Sequence, residues 1–265
     1  MSAGPLNTNE KAHKLVTEDK VRAALLKDEG PDAKYKSFNI VDFCTKGDNY
    51  ACFVTSVEIS ERIKGYEKVT AWLKELAPKS SEILKQESSE CHPSFLVVNH
   101  GDCWNNNLLF SYSDDGAVKD VCLLDLQINR HASLALDLNY FLFTSLNGDT
   151  RKKGLTAFLT SYYDSFKEVF SAADKPMKFT FEELVAEYRK KHLFGLMIAL
   201  MALPIIVMES ANAPDFQDMS EDNIAEKMEE QQRKILDMVE TSPALRPRLL
   251  SLFDELVELG VINIT

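Results

Sequence analysis

The 265-residue chain is short of positive charge: 30 Lys and Arg face 41 Asp and Glu, for a net charge of −11. An acidic surface repels phosphate backbones and anionic lipid, which argues against nucleic-acid and membrane-surface roles. Cysteine is scarce too. The five thiols, Cys44, Cys52, Cys91, Cys103 and Cys122, are odd in number and form no CxxC pair, so they read as reduced, mostly buried groups of a cytoplasmic protein. The N-terminal "MSAGPLNTNEKAHKLVTEDK" holds no apolar run, so it reads as neither signal peptide nor anchor. Repeats and low-complexity tracts are absent. Only "HLFGLMIALMALPIIVM" (192–208) is long and apolar; it is short for a membrane span and Pro204 interrupts it, so it reads as a buried helix. What is present is ordinary core material, 45% hydrophobic against 27% charged, enough for a globular chain of one or two domains.

Helical spacing over 10–28 is stopped by Gly30-Pro31. "SFNIVDF" (37–43) and "ACFVTSVEI" (51–59) are rich in Phe, Val and Ile, and read as a β-hairpin across "TKGDNY". Residues 61–76 space Ile63, Tyr66, Val69, Leu73 and Leu76 as a helix that Pro78 closes. "SFLVVNH" and "DVCLLDL" read as buried strands, with a turn in the "YSDDGAVKD" between them. Beyond residue 132 the pattern is helical. An apolar stripe runs from Leu155 to Phe170, Thr180-x-x-Glu183 forms a capping box, and Ser242-Pro243 opens a last helix whose buried face runs from Leu245 to Leu259.

Within this frame "NHGDCWNNNLLF" (99–110) is anomalous, because Asn and Asp compete with regular structure for backbone groups. One reading is an Asx-rich turn between strands. The other is chemical: Asp102 and Asn107 keep the Asp-x-x-x-x-Asn spacing of a phosphotransferase catalytic loop. Asp102 would accept the proton of an attacking hydroxyl, and Asn107 would give magnesium a neutral oxygen, with Asn106 able to exchange roles. Asp125, at the end of the next strand, would supply the anionic oxygen.

Together, "VVNHGDCWNNNLLF…VCLLDLQINRHASLALDLNYFLF" resembles the ecdysteroid kinase-like (CHK kinase-like) family of insects, among the aminoglycoside phosphotransferase and choline kinase type enzymes. The resemblance is specific over 96–146 and looser through the "FG…LP" helix at 194–204. It implies an α+β, protein-kinase-like fold: a partial N-terminal nucleotide lobe (1–60, helix plus β-hairpin), then a helical C-terminal lobe (61–265) with the catalytic loop and metal site. It implies ATP and Mg2+ as cofactors, Asp102 as catalytic base, Asn107 and Asp125 as metal ligands, and His100 and Asp137 as supports of the loop. Gly47, Asp48 and Asn49 would lie over the nucleotide phosphates. Gln127 stands where protein kinases have glycine, which fits a small-molecule kinase. The expected acceptor is a hydroxyl of an apolar, steroid-like molecule.

The chain departs from that family in one respect. Between residues 60 and 93 no apolar strand ends in the lysine that grips the α- and β-phosphates. Lys64 and Lys68 fall on a helical pattern and read as a solvated face. The nucleotide lobe therefore reads as shortened, with an exposed hairpin edge at 37–59 that invites self-association. The alternative function is a weak or inactive isoform or paralogue acting as a binding or regulatory protein.

Overall fold

The computed structural model describes residues 48–208 and 224–264. The helix expected over 10–28, the strand over 37–43 and Gly47 lie outside them. Lys46–Thr265 is one compact unit.

Asp48–Glu61 is a helix, α1, and not the second strand of a hairpin. The correction has a packing cause. A short apolar run such as "ACFVTSVEI" carries no period that separates strand from buried helix. Here Val57 and Ile59, with Ile63 just beyond, are buried in the main core. That burial outweighs helix-propensity penalties of about 0.7 kcal/mol or less per residue. Asp48 and Asn49 lie in the first turn of α1, so the hairpin expected to cover a nucleotide is not formed by 48–59.

Gly65, at φ +94°, separates α1 from α2 (Glu67–Leu76), which is shorter than the helix expected over 61–76. As expected, α2 ends just before Pro78. The proline sits in a 3-10 turn, Ala77–Lys79, that leads into α3 (Ser80–Ser89).

Four short strands make two separate antiparallel pairs among the described residues: β1 (Leu96–Asn99) with β4 (Arg130–Ser133), and β2 (Leu108–Tyr112) with β3 (Val118–Leu123). The expected strands and turn are present, but not the expected burial. β3 is exposed along its whole length, and Leu109 and Val118 are each 60% exposed.

Among the described residues six helices follow: α4 (Leu134–Ser145), α5 (Gly148–Ala172), α6 (Phe181–Lys190), α7 (His192–Ile206), α8 (Ile224–Thr241) and α9 (Leu245–Glu258). Thr180 and Glu183 close the capping box on α6; α9, however, begins at Leu245 with Ala244 as its N-cap, so Ser242-Pro243 forms the turn before it and Ser242 Oγ accepts from the Leu245 N–H at 3.2 Å. On α5 the apolar stripe is mostly half-buried, with Val169 exposed. On α9, Leu245, Leu249, Leu252, Phe253 and Leu256 are fully buried, whereas Leu259 is exposed.

The apolar 192–208 segment is α7, sunk among other helices. Its 15 residues span about 22 Å, less than a bilayer core of about 30 Å, and no helix among the described residues is long and apolar enough to cross a membrane. Gly195 lets α7 approach α4 closely: a Cβ there would lie 2.9 Å from that of Asn139. Pro204 has no N–H for the Leu200 carbonyl, and the Ser56 hydroxyl of α1 donates to that carbonyl instead, at 3.1 Å. Arg151 of α5 is 1% exposed and donates through Nε and Nη2 to Glu255 of α9, at 3.0 and 2.6 Å.

Candidate functional site

The loop 100–107 leaves β1 and is held from behind by α4. Asp137, in the first turn of α4, accepts two successive backbone N–H groups, from His100 through Oδ2 at 2.6 Å and from Gly101 through Oδ1 at 3.0 Å. Burial pushes its carboxyl above the ordinary range, against the pull of those two bonds. Gly101 takes φ +89°, and a Cβ there would meet the Ile128 carbonyl at 2.6 Å, so the turn admits only glycine without rearrangement. His100 Nδ1 accepts from the Asp102 N–H at 3.3 Å, which leaves Nε2 protonated to donate to the Leu124 carbonyl at 2.7 Å. The residue is 7% exposed and acts as a bracket between the loop and the end of β3.

The three asparagines divide the work. Asn105 bonds Ser145 at the end of α4, through its N–H to Oγ (3.1 Å) and its Nδ2 to the carbonyl (3.2 Å). Asn107 is buried, and its Nδ2 donates to the Asp102 carbonyl at 2.8 Å and to Asp102 Oδ2 at 2.9 Å. Asn106 is exposed, and it is Asn107 that the structure bonds to Asp102.

Asp102 Oδ1 accepts from the Tyr140 hydroxyl at 2.6 Å. The carboxylate is thus fixed at both oxygens, by Tyr140 and by Asn107. Burial first, and then the Asp102 charge, raise the Tyr140 hydroxyl above its usual range and keep it a donor. Tyr140 was not foreseen from the sequence. Its signal is its place three residues after Asp137, which puts both side chains on one face of α4. Cys103 is pushed up to about 12 by burial and by Asp137 and Asp102, so it stays a thiol and is no nucleophile at neutral pH.

Asp125 follows Leu124, whose N–H donates to the Asn107 carbonyl at 2.9 Å and whose carbonyl accepts from His100. Its backbone therefore starts at the base of the loop. It is exposed and left-handed, at φ +63°, a conformation that Asp tolerates better than most residues. Among the described residues no three His, Cys, Asp or Glu side chains gather as a cation site. The donors at hand are Asn107 Oδ1, whose amide nitrogen is committed to Asp102, and the Asp125 carboxylate. Both are hard oxygens that suit magnesium, and phosphate oxygens would have to complete the shell.

A cavity of about 500 Å³ lies beside the loop, walled by Leu108, Leu126, Leu138, Phe141 and Tyr162 and bordered by His100, Cys103 and Asp137.

The model of a family described as "Ecdysteroid kinase-like family" matches residues 39–174, just over half of the chain. No curated protein and no solved structure matches it.

Proposed function

Because the chain belongs to the ecdysteroid kinase-like family, we propose that loop 100–107 serves the ATP-dependent transfer of a phosphoryl group to a hydroxyl of a small apolar molecule, steroid-like by the family's name. One observation carries this reading: the Asp102 carboxylate is held at both oxygens, by Tyr140 and by Asn107, on a loop clamped to α4. A carboxylate fixed in this way has no reorientation to make when a hydroxyl arrives. Asp102 takes the hydroxyl proton as the new O–P bond forms and the bond from the γ-phosphorus to its bridging oxygen breaks, releasing ADP. Asn107 and Asp125 would hold the magnesium ion, which supplies charge neutralisation at the phosphates. His100 and Asp137 position the loop. The setting is cytoplasmic.

A second reading, that this chain transfers phosphate poorly and acts chiefly by binding, is favoured by a different observation. Among the described residues, no Lys or Arg pairs with Asp102, Asn107 or Asp125. A nucleotide that met no cation at its phosphates would lack a contact of about 1.5–3 kcal/mol. The two readings separate in one experiment, ATP-dependent labelling of apolar alcohols by the full chain alongside melting shifts with ATP, with and without magnesium. Slow labelling that Asp102→Ala abolishes and Tyr140→Phe lowers about tenfold supports transfer. A magnesium-dependent shift without labelling supports binding alone. Labelling that survives Asp102→Ala removes Asp102 from the chemistry.

A further inference from the structure

The two fully buried cations among the described residues each meet a carboxylate, Arg151 that of Glu255 and Lys191 that of Glu87. Arg248, near the start of α9, does not. It is half-buried and donates through Nη1 to the Thr144 carbonyl at 3.2 Å, and no carboxylate among the described residues pairs with it. Burial pulls its pKa below the ordinary range, and no neighbouring acid pulls it back. Its Nε and Nη2 make no hydrogen bond among the described residues, and neither is sealed from solvent. Arg248 lines a groove of about 280 Å³ together with Trp104, Asn106, Ile206 and Val207. We infer that this groove binds a small aromatic carboxylate, its two oxygens paired with the Arg248 guanidinium.

The chemistry of the groove selects this class. With Nη1 spent on Thr144, the guanidinium keeps its Nε and Nη2 edge, two parallel N–H donors spaced like the two oxygens of a carboxylate. A phosphate monoester would bring up to two charges against one guanidinium, in a chain of net charge −11. A carboxylate brings one. Trp104, Ile206 and Val207 supply the apolar wall for a flat ring. Ligand sites run to about 300–1,000 Å³, so this groove is at the small end and suits one or two rings. Asp102 and Asn107 are not among its walls, and the site stands whether or not the loop transfers phosphate.

Calorimetric titration of the full chain with 2-naphthoate, 2-naphthamide and 2-naphthylmethylamine tests this. The naphthoate should bind about tenfold or more tighter than the amide, the step that hydrogen bonds to a charged group give, and the amine should bind weakest. The chain's net negative charge alone would produce the reverse order. Arg248→Gln should bring the naphthoate down to the affinity of the naphthamide. Arg248→Lys, which keeps the charge and loses the fork, should fall between. Val207→Trp, which fills the groove, should weaken naphthoate and naphthamide alike. Equal or reversed affinities in the native chain, a naphthoate preference that survives Arg248→Gln, binding unchanged by Val207→Trp, or displacement of the naphthoate by ATP would each overturn the proposal.

Discussion

His192, at the start of α7, is 3% exposed, and its Nδ1 lies 3.0 Å from Asn139 Oδ1. The Asn139 amide nitrogen is already spent on the carbonyls of Ala135 and Tyr188, so Oδ1 accepts and the imidazole is the neutral Nδ1–H tautomer. Burial lowers its pKa from 6.5 to about 4, with Arg189 and Arg151 adding to the effect. The unfolded chain then binds the proton more readily than the folded one between those values. Stability from this group is complete above pH 6.5 and is lost as pH falls toward 4. Between pH 7 and pH 5 the loss should be about 2 kcal/mol. Urea denaturation at the two pH values should show a drop that is smaller by that amount in His192→Gln.

At the scale of elements, the junction of α1 with α7 depends on a proline. Pro204 leaves the Leu200 carbonyl without its helical partner, and Ser56 supplies one. Ser56→Ala should therefore cost about 1–3 kcal/mol in chemical denaturation, the price of a buried acceptor left unpaired. In a Pro204→Ala background, where residue 204 regains its N–H, the same substitution should cost less, and a double-mutant cycle reads the difference. This junction also marks what the sequence could and could not tell. The apolar run of α7, the Thr180 cap and the buried face of α9 each carry a local signal, whether a period, a cap residue or a length, and each is found in the structure. The partner of Asp102 could be read from the five-residue spacing to Asn107, because the loop is too short to place them far apart. Helix α1 could not be read. Its β-branched residues suit a strand equally well, and its packing decides for helix, partly against the neighbouring α2 and α3 and partly against α7 and α8, more than a hundred residues away. The burial of β3 was misjudged for the same reason, since an apolar run does not say whether anything covers it.

At the scale of the molecule, β2 and β3 leave an apolar surface in water: Leu109, Tyr112, Val118, Val121 and Leu123 are all about half exposed or more. Two-stranded pairs with open edges and apolar faces recruit further chain. The expected outcome is concentration-dependent self-association through 108–123. Val121→Glu should shift sedimentation toward the monomer without changing the melting temperature by more than a surface substitution does.

The clamp of Asp137 on the loop also predicts a kinetic record. The amides of His100 and Gly101 end on a side chain some 37 residues away in α4, so their protons can exchange with solvent only when strand end and helix part. In deuterium-exchange measurements those two sites should therefore follow the opening of α4 and not the fraying of the two-stranded β1–β4 pair. Asp137→Asn keeps one acceptor oxygen where there were two. One of the two amides should then exchange about tenfold or more faster while its neighbour stays protected, a split that a general loosening of the fold would not produce.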